Sequence, residues 1–366
     1  MKVRYLENER VRLVKESGEV KCKREEIKKD ECIDNRSIWE HRQVYHFRIV
    51  KKRHNVTCYE LKTGKNEKEA KKLQGKVKTI WGNLVTGENL ETAINGQDVV
   101  IHLAFIIPPA SEKNPKLAHK INVEGTAKVV DVIKAQKNPP RLIFTSTIAV
   151  YGDSQHLAPP RKVTDILNPV DNYGNQKIEC EKLVMKSGIQ WSILRFAAAP
   201  SIDWKRVDPI MYEVPLTDRI EFIHPGDIGC ALANAVESDE IWGKILLIGG
   251  GEKCWMYQAE FMEKALDMLG IGMLPKEAFG KKSYHTDWMD TKESERILRY
   301  QKHTYDDFLR EQAAVFGKRA FFVKLFRPIV CWYLLFQSPY YRQYICGKIC
   351  PGVKMKKVGK KVKKSV

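Results

Sequence analysis

RLIFTSTIAVYG (141–152) and NYGNQKIECEKLVMKSG (172–188) are the two stretches whose reading decides the fold. The first runs through apolar and β-branched residues and ends in hydroxyls, as a buried strand does. The second has the composition of a helix and stops at Gly188. Tyr173 and Lys177 stand four apart in it, which puts them on one helical face a turn from each other. An ammonium so placed favours the phenolate, so Tyr173 is expected to titrate below the usual ~10 and to work as a general acid/base. Taken alone, this spacing is most often a surface coincidence. The strand ending about 26 residues before Tyr173 changes that, because Thr145, Ser146 and Thr147 would emerge at the carboxyl edge of a parallel sheet. That edge is where open α/β folds bind ligands.

Working outward, residues 54 to about 250 alternate strand-like and helix-like segments. Strands are predicted at 54–62, 76–84, 98–105, 141–152, 191–197 and 243–251, and helices at 66–74, 88–96, 116–136 and 172–188. The pattern predicts an α/β, Rossmann-like doubly wound parallel sheet, followed by a small, mostly helical C-terminal lobe and a basic tail. Four stretches follow: an atypical segment (1–53), the sheet domain (54–250), a helical substrate lobe (251–315) with helices at 258–270 and 292–314, and an aromatic and polybasic end (316–366).

Composition narrows the function classes. The 366 residues are 43% hydrophobic, enough for a sizeable core, and the nine cysteines follow no disulfide framework. The charged start resembles no signal peptide, and no run of about 20 apolar residues appears. These features predict a cytoplasmic protein, at most peripheral at a membrane. The formal net charge is +18, and Arg342–Val366 holds nine basic and no acidic residues. A solvated tail or an anionic membrane surface fits this better than nucleic acid, since no aromatic–basic platform interleaves the last residues.

FTSTIAVYG followed by YGNQK resembles the active-site pair of the extended short-chain dehydrogenases/reductases, the NAD-dependent epimerase/dehydratase family. WGNLVTGENLETAINGQDVVIHLAF (81–105), HKINVEGT (119–126) and RIEFIHPGDIGCALANAVES (219–238) extend the resemblance over about residues 54 to 310. It implies that Thr147, Tyr173 and Lys177 are catalytic: Tyr173 moves the proton, Lys177 holds the cofactor ribose, and Thr147 orients the substrate oxygen. It also implies an NAD(P)-dependent oxidoreductase or epimerase acting on a hydroxyl/keto small molecule. Glu60, Asn83, Leu84, Leu103, Ala104, Phe105, Asn122, Thr145 and Phe196, together with Tyr173 and Lys177, fall where the family holds its dinucleotide. Glu60 would accept from ribose hydroxyls and repel a 2′-phosphate, favouring NAD, while nearby Lys62 leaves NADP open; the bland reading of Glu60 is a solvated strand end. A homodimer through the helix carrying Tyr173 is a further implication. RFAAAPSIDW (195–204) does not match the Arg/Asn/Pro-containing run of the sugar-nucleotide enzymes, and Trp204, Arg206, Met211 and Tyr212 are pocket or core candidates alike.

The family opens with a strand, a Gly-rich turn and a helix whose amides receive the pyrophosphate. Here the only glycine before residue 60 is Gly18, so the first, central strand is expected to be missing and NAD affinity to be severely reduced. Codons allowed for Asp34–Arg42, read one base downstream, can spell ITGAFGNIG, with the glycine under Trp39 forced. Residues 30–53 are therefore read as an out-of-frame version of that turn; the alternative is a divergent extension. A nonenzymatic scaffold, membrane-attached or dinucleotide-sensing, rivals the enzyme reading on this break. At the other end, AFFVKLFRPIVCWYLLFQSPYY (320–341) suits an interfacial helix pair or a helix packed on the core or a dimer partner. Sequencing the gene tests the frame: codons compatible with all the shifted glycines are expected, and incompatible ones remove the reading.

Overall fold

The computed structural model describes residues 2–7, 54–199 and 209–349. Lys2–Glu7 (β1) precedes Asn55–Glu60 (β2), the helix Gly64–Lys72 (α1) and Lys78–Trp81 (β3). Leu90–Ile94 (α2) leads into Val99–Leu103 (β4); Ala110–Lys113 (α3), Pro115–His119 (α4) and Gly125–Lys134 (α5) lead into Arg141–Thr147 (β5). Asn172–Met185 (α6) crosses to Trp191–Phe196 (β6). Ile210–Glu213 (α7) and Arg219–Glu221 (β7) come before Pro225–Glu237 (α8) and Ile245–Ile248 (β8). Trp255–Tyr257 (β9), Gln258–Met268 (α9), Lys292–Leu298 (α10) and Tyr305–Phe316 (α11) precede three last helices, Arg319–Leu325 (α12), Arg327–Gln337 (α13) and Pro339–Ile349 (α14).

One seven-stranded sheet runs β3-β2-β1-β4-β5-β6-β8, with every neighbouring pair parallel. This is the doubly wound order, with its reversal between β1 and β4, as the alternation of segments predicts. The missing first strand is a correction. Lys2–Glu7 fills the central slot, pairing Val3 with Val56 on one side and with Val99 on the other. The shifted segment 30–53 lies outside the described residues.

The sheet holds together because its strands are apolar on both faces, as crossover helices require. Val99, Val100 and Ile101 of β4 and Leu142, Ile143 and Phe144 of β5 are wholly buried. Gly152 closes the strand-end turn at φ 66, and a Cβ there would come within 1.8 Å of the Asn168 carbonyl oxygen, so only glycine fits.

Two predicted helices break. The one expected over 116–136 opens into a π turn at Lys120–Glu124, where the Asn122 side chain pairs with backbone outside its own helix. The one expected over 292–314 stops at Arg299, which is left-handed at φ 48. There Glu295 accepts from the amides of Tyr300 and Gln301, both at 2.9 Å, and Asp227 accepts from those of Lys302 and His303.

The second lobe packs around β7 and β9, an antiparallel pair, with Phe222, Phe261, Tyr305 and Phe308 in ring contact. Tyr212 is buried in this core and donates to the Leu334 carbonyl at 2.8 Å; Trp204 and Arg206 lie outside the described residues.

A buried ion pair fixes α6 to the sheet. Arg195 in β6 donates to both carboxylate oxygens of Glu181, at 3.0 and 2.6 Å, and to the Tyr151 hydroxyl at 2.7 Å. Arg195 and Glu181 are 2% and 1% exposed, so neither charge finds water if its partner goes. Arg195→Met is expected to cost about 3–5 kcal/mol in urea unfolding. Adding Glu181→Leu should recover most of that, whereas an unrecovered double variant would mean that packing, not charge, holds the helix.

Candidate active site

Every site residue read from the sequence, except Asn122, Tyr173 and Lys177 on the helical side, lies at or just past the carboxyl end of a sheet strand. Glu60 ends β2, Asn83 and Leu84 follow β3, Leu103 to Phe105 close β4, Thr145 and Thr147 close β5, and Phe196 ends β6. β1 and β4 lie between Glu60 and the β5 edge, so the acidic end and the Tyr/Lys end stand on the same carboxyl edge of the sheet, on either side of the reversal in strand order.

Three of these residues meet directly. Asp171 caps α6 by accepting from the Gly174 amide at 2.7 Å, and this first turn presents Tyr173 to the end of β5. The Thr147 side chain is within hydrogen-bond reach of the Tyr173 phenol. Thr147 also accepts from the Ala149 amide at 3.2 Å, which turns the chain away from the strand. Lys177, a turn further on, is 2% exposed and donates to the Thr145 carbonyl at 2.5 Å. Its ammonium sits 3.4 Å from the Phe105 ring centre and 5.7 Å from that of Tyr173.

The electrostatics depart from the expected direction. Burial, reinforced by the Asp171 carboxylate, pushes the Tyr173 phenol above its ordinary value, and the Thr147 hydrogen bond only partly opposes this. Burial pulls Lys177 down to about 7. Burial thus drives both groups towards their neutral forms, opposite to the lowered tyrosine that the spacing predicts.

Asn122 supports the site, but through backbone. Its Oδ1 accepts from the Ile106 amide at 2.6 Å, and its Nδ2 donates to the Ile106 carbonyl at 3.0 Å and to Gln176 Oε1 at 2.8 Å. The loop after β4 is thereby tied to α6. Thr145 donates to the His102 carbonyl at 2.9 Å, which locks β5 to β4. Phe105 meets Tyr173 edge-on at 6.0 Å, Leu84 is buried against Gly125, and Phe196 packs on the core. Asn83 folds its side chain onto the Val85 amide at 2.9 Å. Glu60 is 2% exposed and accepts from Asn66 Nδ2 at 3.2 Å, which removes the solvated-strand-end reading.

Sequence reasoning missed Gln176, Glu112 and Glu181. Gln176 is buried between Tyr173 and Lys177 and takes the hydrogen bond from Asn122. Glu112 accepts from the amides of Asn172 and Tyr173, both at 3.3 Å, at the helix start. A signal existed for Glu181: it lies four residues beyond Lys177, on the face that the Tyr/Lys spacing assigns to the sheet.

The doubly wound sheet with Thr147, Tyr173 and Lys177 at its carboxyl edge is the arrangement that the resemblance to the extended short-chain dehydrogenases/reductases implies. Residues 46–198, which run from before β2 to just past β6, match the model of the NAD dependent epimerase/dehydratase family. The 3beta-hydroxysteroid-dehydrogenase/decarboxylase isoform 2 of Arabidopsis thaliana is 31% identical over 129 residues, 35% of this chain and 22% of that protein. D-erythronate dehydrogenase of Haemophilus influenzae is 29% identical over 89 residues, 24% of this chain and 27% of that one. The chain thus matches about a quarter of the length of these curated relatives. Among solved structures, UDP-glucuronic acid 4-epimerase from Bacillus cereus, in complex with UDP-glucuronic acid and NAD, superposes with a TM-score of 0.62 at 18% identity. That match covers 74% of this chain and 94% of the epimerase, and the likeness is one of fold.

The Lys177 shift makes a signed prediction. Its folded value, about 7, lies below the ~10.4 of an unfolded lysine. Below pH 7 both states carry the proton, and the fold bears the full cost of the buried ammonium. Above pH 7 the folded state sheds its proton, so the cost shrinks and vanishes near the unfolded value. Lys177→Met is therefore expected to stabilise by on the order of 3 kcal/mol at pH 6, less the lost bond to Thr145, and by little at pH 10. Thermal unfolding at the two pH values checks this, and a pH-independent gain contradicts it.

Proposed function

We infer that this protein is an NAD-dependent oxidoreductase that interconverts a secondary alcohol and a ketone on a small-molecule substrate. The observation carrying this is the placing of Thr147, the last residue of β5, beside Tyr173 in the first turn of α6, with Lys177 a turn further along the same helix and held by the Thr145 carbonyl. Tyr173 passes a proton to or from the substrate oxygen, and Thr147 fixes that oxygen's direction. Lys177, neutral or charged near pH 7, lies beside the phenol and steadies whichever form the step leaves behind. A nicotinamide supplies hydride acceptance or donation.

Part of this chain fits such a cofactor. Glu60 is a buried carboxylate at the end of β2, where a ribose is held in this fold, and the β4 end offers the apolar Ala104 and Phe105. The Gly-rich turn is what the sequence lacks, since no glycine lies between Gly18 and Gly64. That observation favours a second reading, a catalytically impaired dinucleotide-binding or scaffold relative. Both curated relatives quoted above are dehydrogenases by name, which supports simple alcohol oxidation or ketone reduction over epimerisation.

The decisive experiment pairs the chain as written with a version carrying a restored Gly-rich turn. Each is titrated with NADH by fluorescence, then screened with hydroxysteroids, sugar acids and UDP-sugars. The restored chain is expected to bind NADH and turn over one class, with Tyr173→Phe lowering kcat by about 10²–10⁴-fold. Tight NADH binding by the chain as written would remove the impaired reading. A restored chain that binds NADH yet keeps its rate as Tyr173→Phe would sink the proposed chemistry.

A further inference from the structure

The last three described helices carry a feature that the chemistry above does not use. The inner side of α12 and α13 is anchored: Val323, Val330, Cys331, Leu334 and Leu335 pack on the second-lobe core. Arg327 Nε donates to the Ile271 carbonyl at 2.6 Å, and Ser338 donates to that of Ala278 at 2.6 Å. The outer side is also apolar. Phe321, Phe322, Leu325, Ile329, Trp332 and Phe336 are between 55% and 67% exposed, on consecutive turns of a rigidly held platform. Scattered single apolar residues need no explanation, but a contiguous face of six bulky ones marks a surface that something covers.

Length and charge identify the cover. α12 and α13 meet at 86°, and eleven residues of α13 span only about 16 Å against about 30 Å of bilayer hydrocarbon, so neither helix reaches across a bilayer by itself and the bend suits a pair lying along a surface. After Glu311 the chain has thirteen Lys or Arg and no Asp or Glu. Two copies meeting through this face would bring two such basic sets together, which costs energy that an anionic partner would repay. Aromatic rings at headgroup depth beside lysines and arginines are what an interface of acidic lipid accommodates.

We propose that the outer face of α12 and α13 docks this protein onto an anionic membrane surface, with its rings and aliphatic side chains entering the headgroup layer and the surrounding basic residues on acidic lipid. The inference is independent of the Tyr173 chemistry. Full-length protein is floated with vesicles of phosphatidylcholine alone and with vesicles containing about one third phosphatidylserine. The acidic vesicles are expected to carry the protein up, and the neutral ones to carry on the order of tenfold less. Ile329→Ala/Trp332→Ala/Phe336→Ala, all at exposed positions, should lower acidic-vesicle binding by at least about tenfold while leaving the thermal midpoint unchanged. Quenching of tryptophan by bromine-labelled lipid, lost in Trp332→Phe, reads insertion directly. Equal flotation of the triple variant and its parent would overturn the proposal, because charge alone would then do the binding. No flotation, with a dimer by light scattering that the triple variant turns into a monomer, would assign the face to a second copy instead.

Discussion

Arg195 carries a full positive charge into the buried face of β6, next to the edge strand of the parallel sheet, and Glu181 is what makes that tolerable. Two N–H groups go to its carboxylate and a third to Tyr151, so the guanidinium has replaced water with fixed acceptors. The pair joins β6 to α6, and α6 carries Tyr173 and Lys177 beside the end of β5. Hydrophobic contact alone would let a helix slide or roll by small amounts over a smooth apolar surface. A bidentate pair has one good geometry, and it sets both the rotation and the height of the helix. Asn122 and Gln176 then fix the opposite flank by tying α6 to the loop that follows β4.

This framework lets the site bury an ammonium with little electrostatic help. Lys177 rests on the face of Phe105 and on one carbonyl, and the low-dielectric surroundings bring its proton affinity close to neutrality. Tyr173 is driven the other way by the same burial. Two groups whose ordinary values lie close together are thus pushed far apart, the tyrosine above the lysine.

The parallel strands with their crossovers, and the shared helix face of Tyr173 and Lys177, were legible in the sequence because each rests on local rules. Apolar runs bounded by turns give buried strands, and a four-residue spacing gives one helix face. Asn122 was placed through family resemblance, yet its actual partners, the Ile106 backbone and Gln176, needed three dimensions. The π turn at Lys120–Glu124 and the left-handed Arg299 were illegible for the same reason: distant acceptors, not local propensity, decide them. The central strand was missed on other grounds. KVRYLE mixes Lys2, Arg4 and Glu7 with apolar residues, whereas interior parallel strands usually read as unbroken apolar runs.

That strand has a consequence for assembly. β1 alone joins β3-β2 to β4-β5-β6-β8, since β2 and β4 do not pair with each other. Its link to β2 is roughly fifty residues of chain, and closing so long a loop costs entropy before any ladder bond repays it. β4, β5 and β6 follow one another closely in sequence and can pair early, as can β2 and β3. β1 is thus a keystone: without it the sheet falls into two half-sheets with no ladder between them.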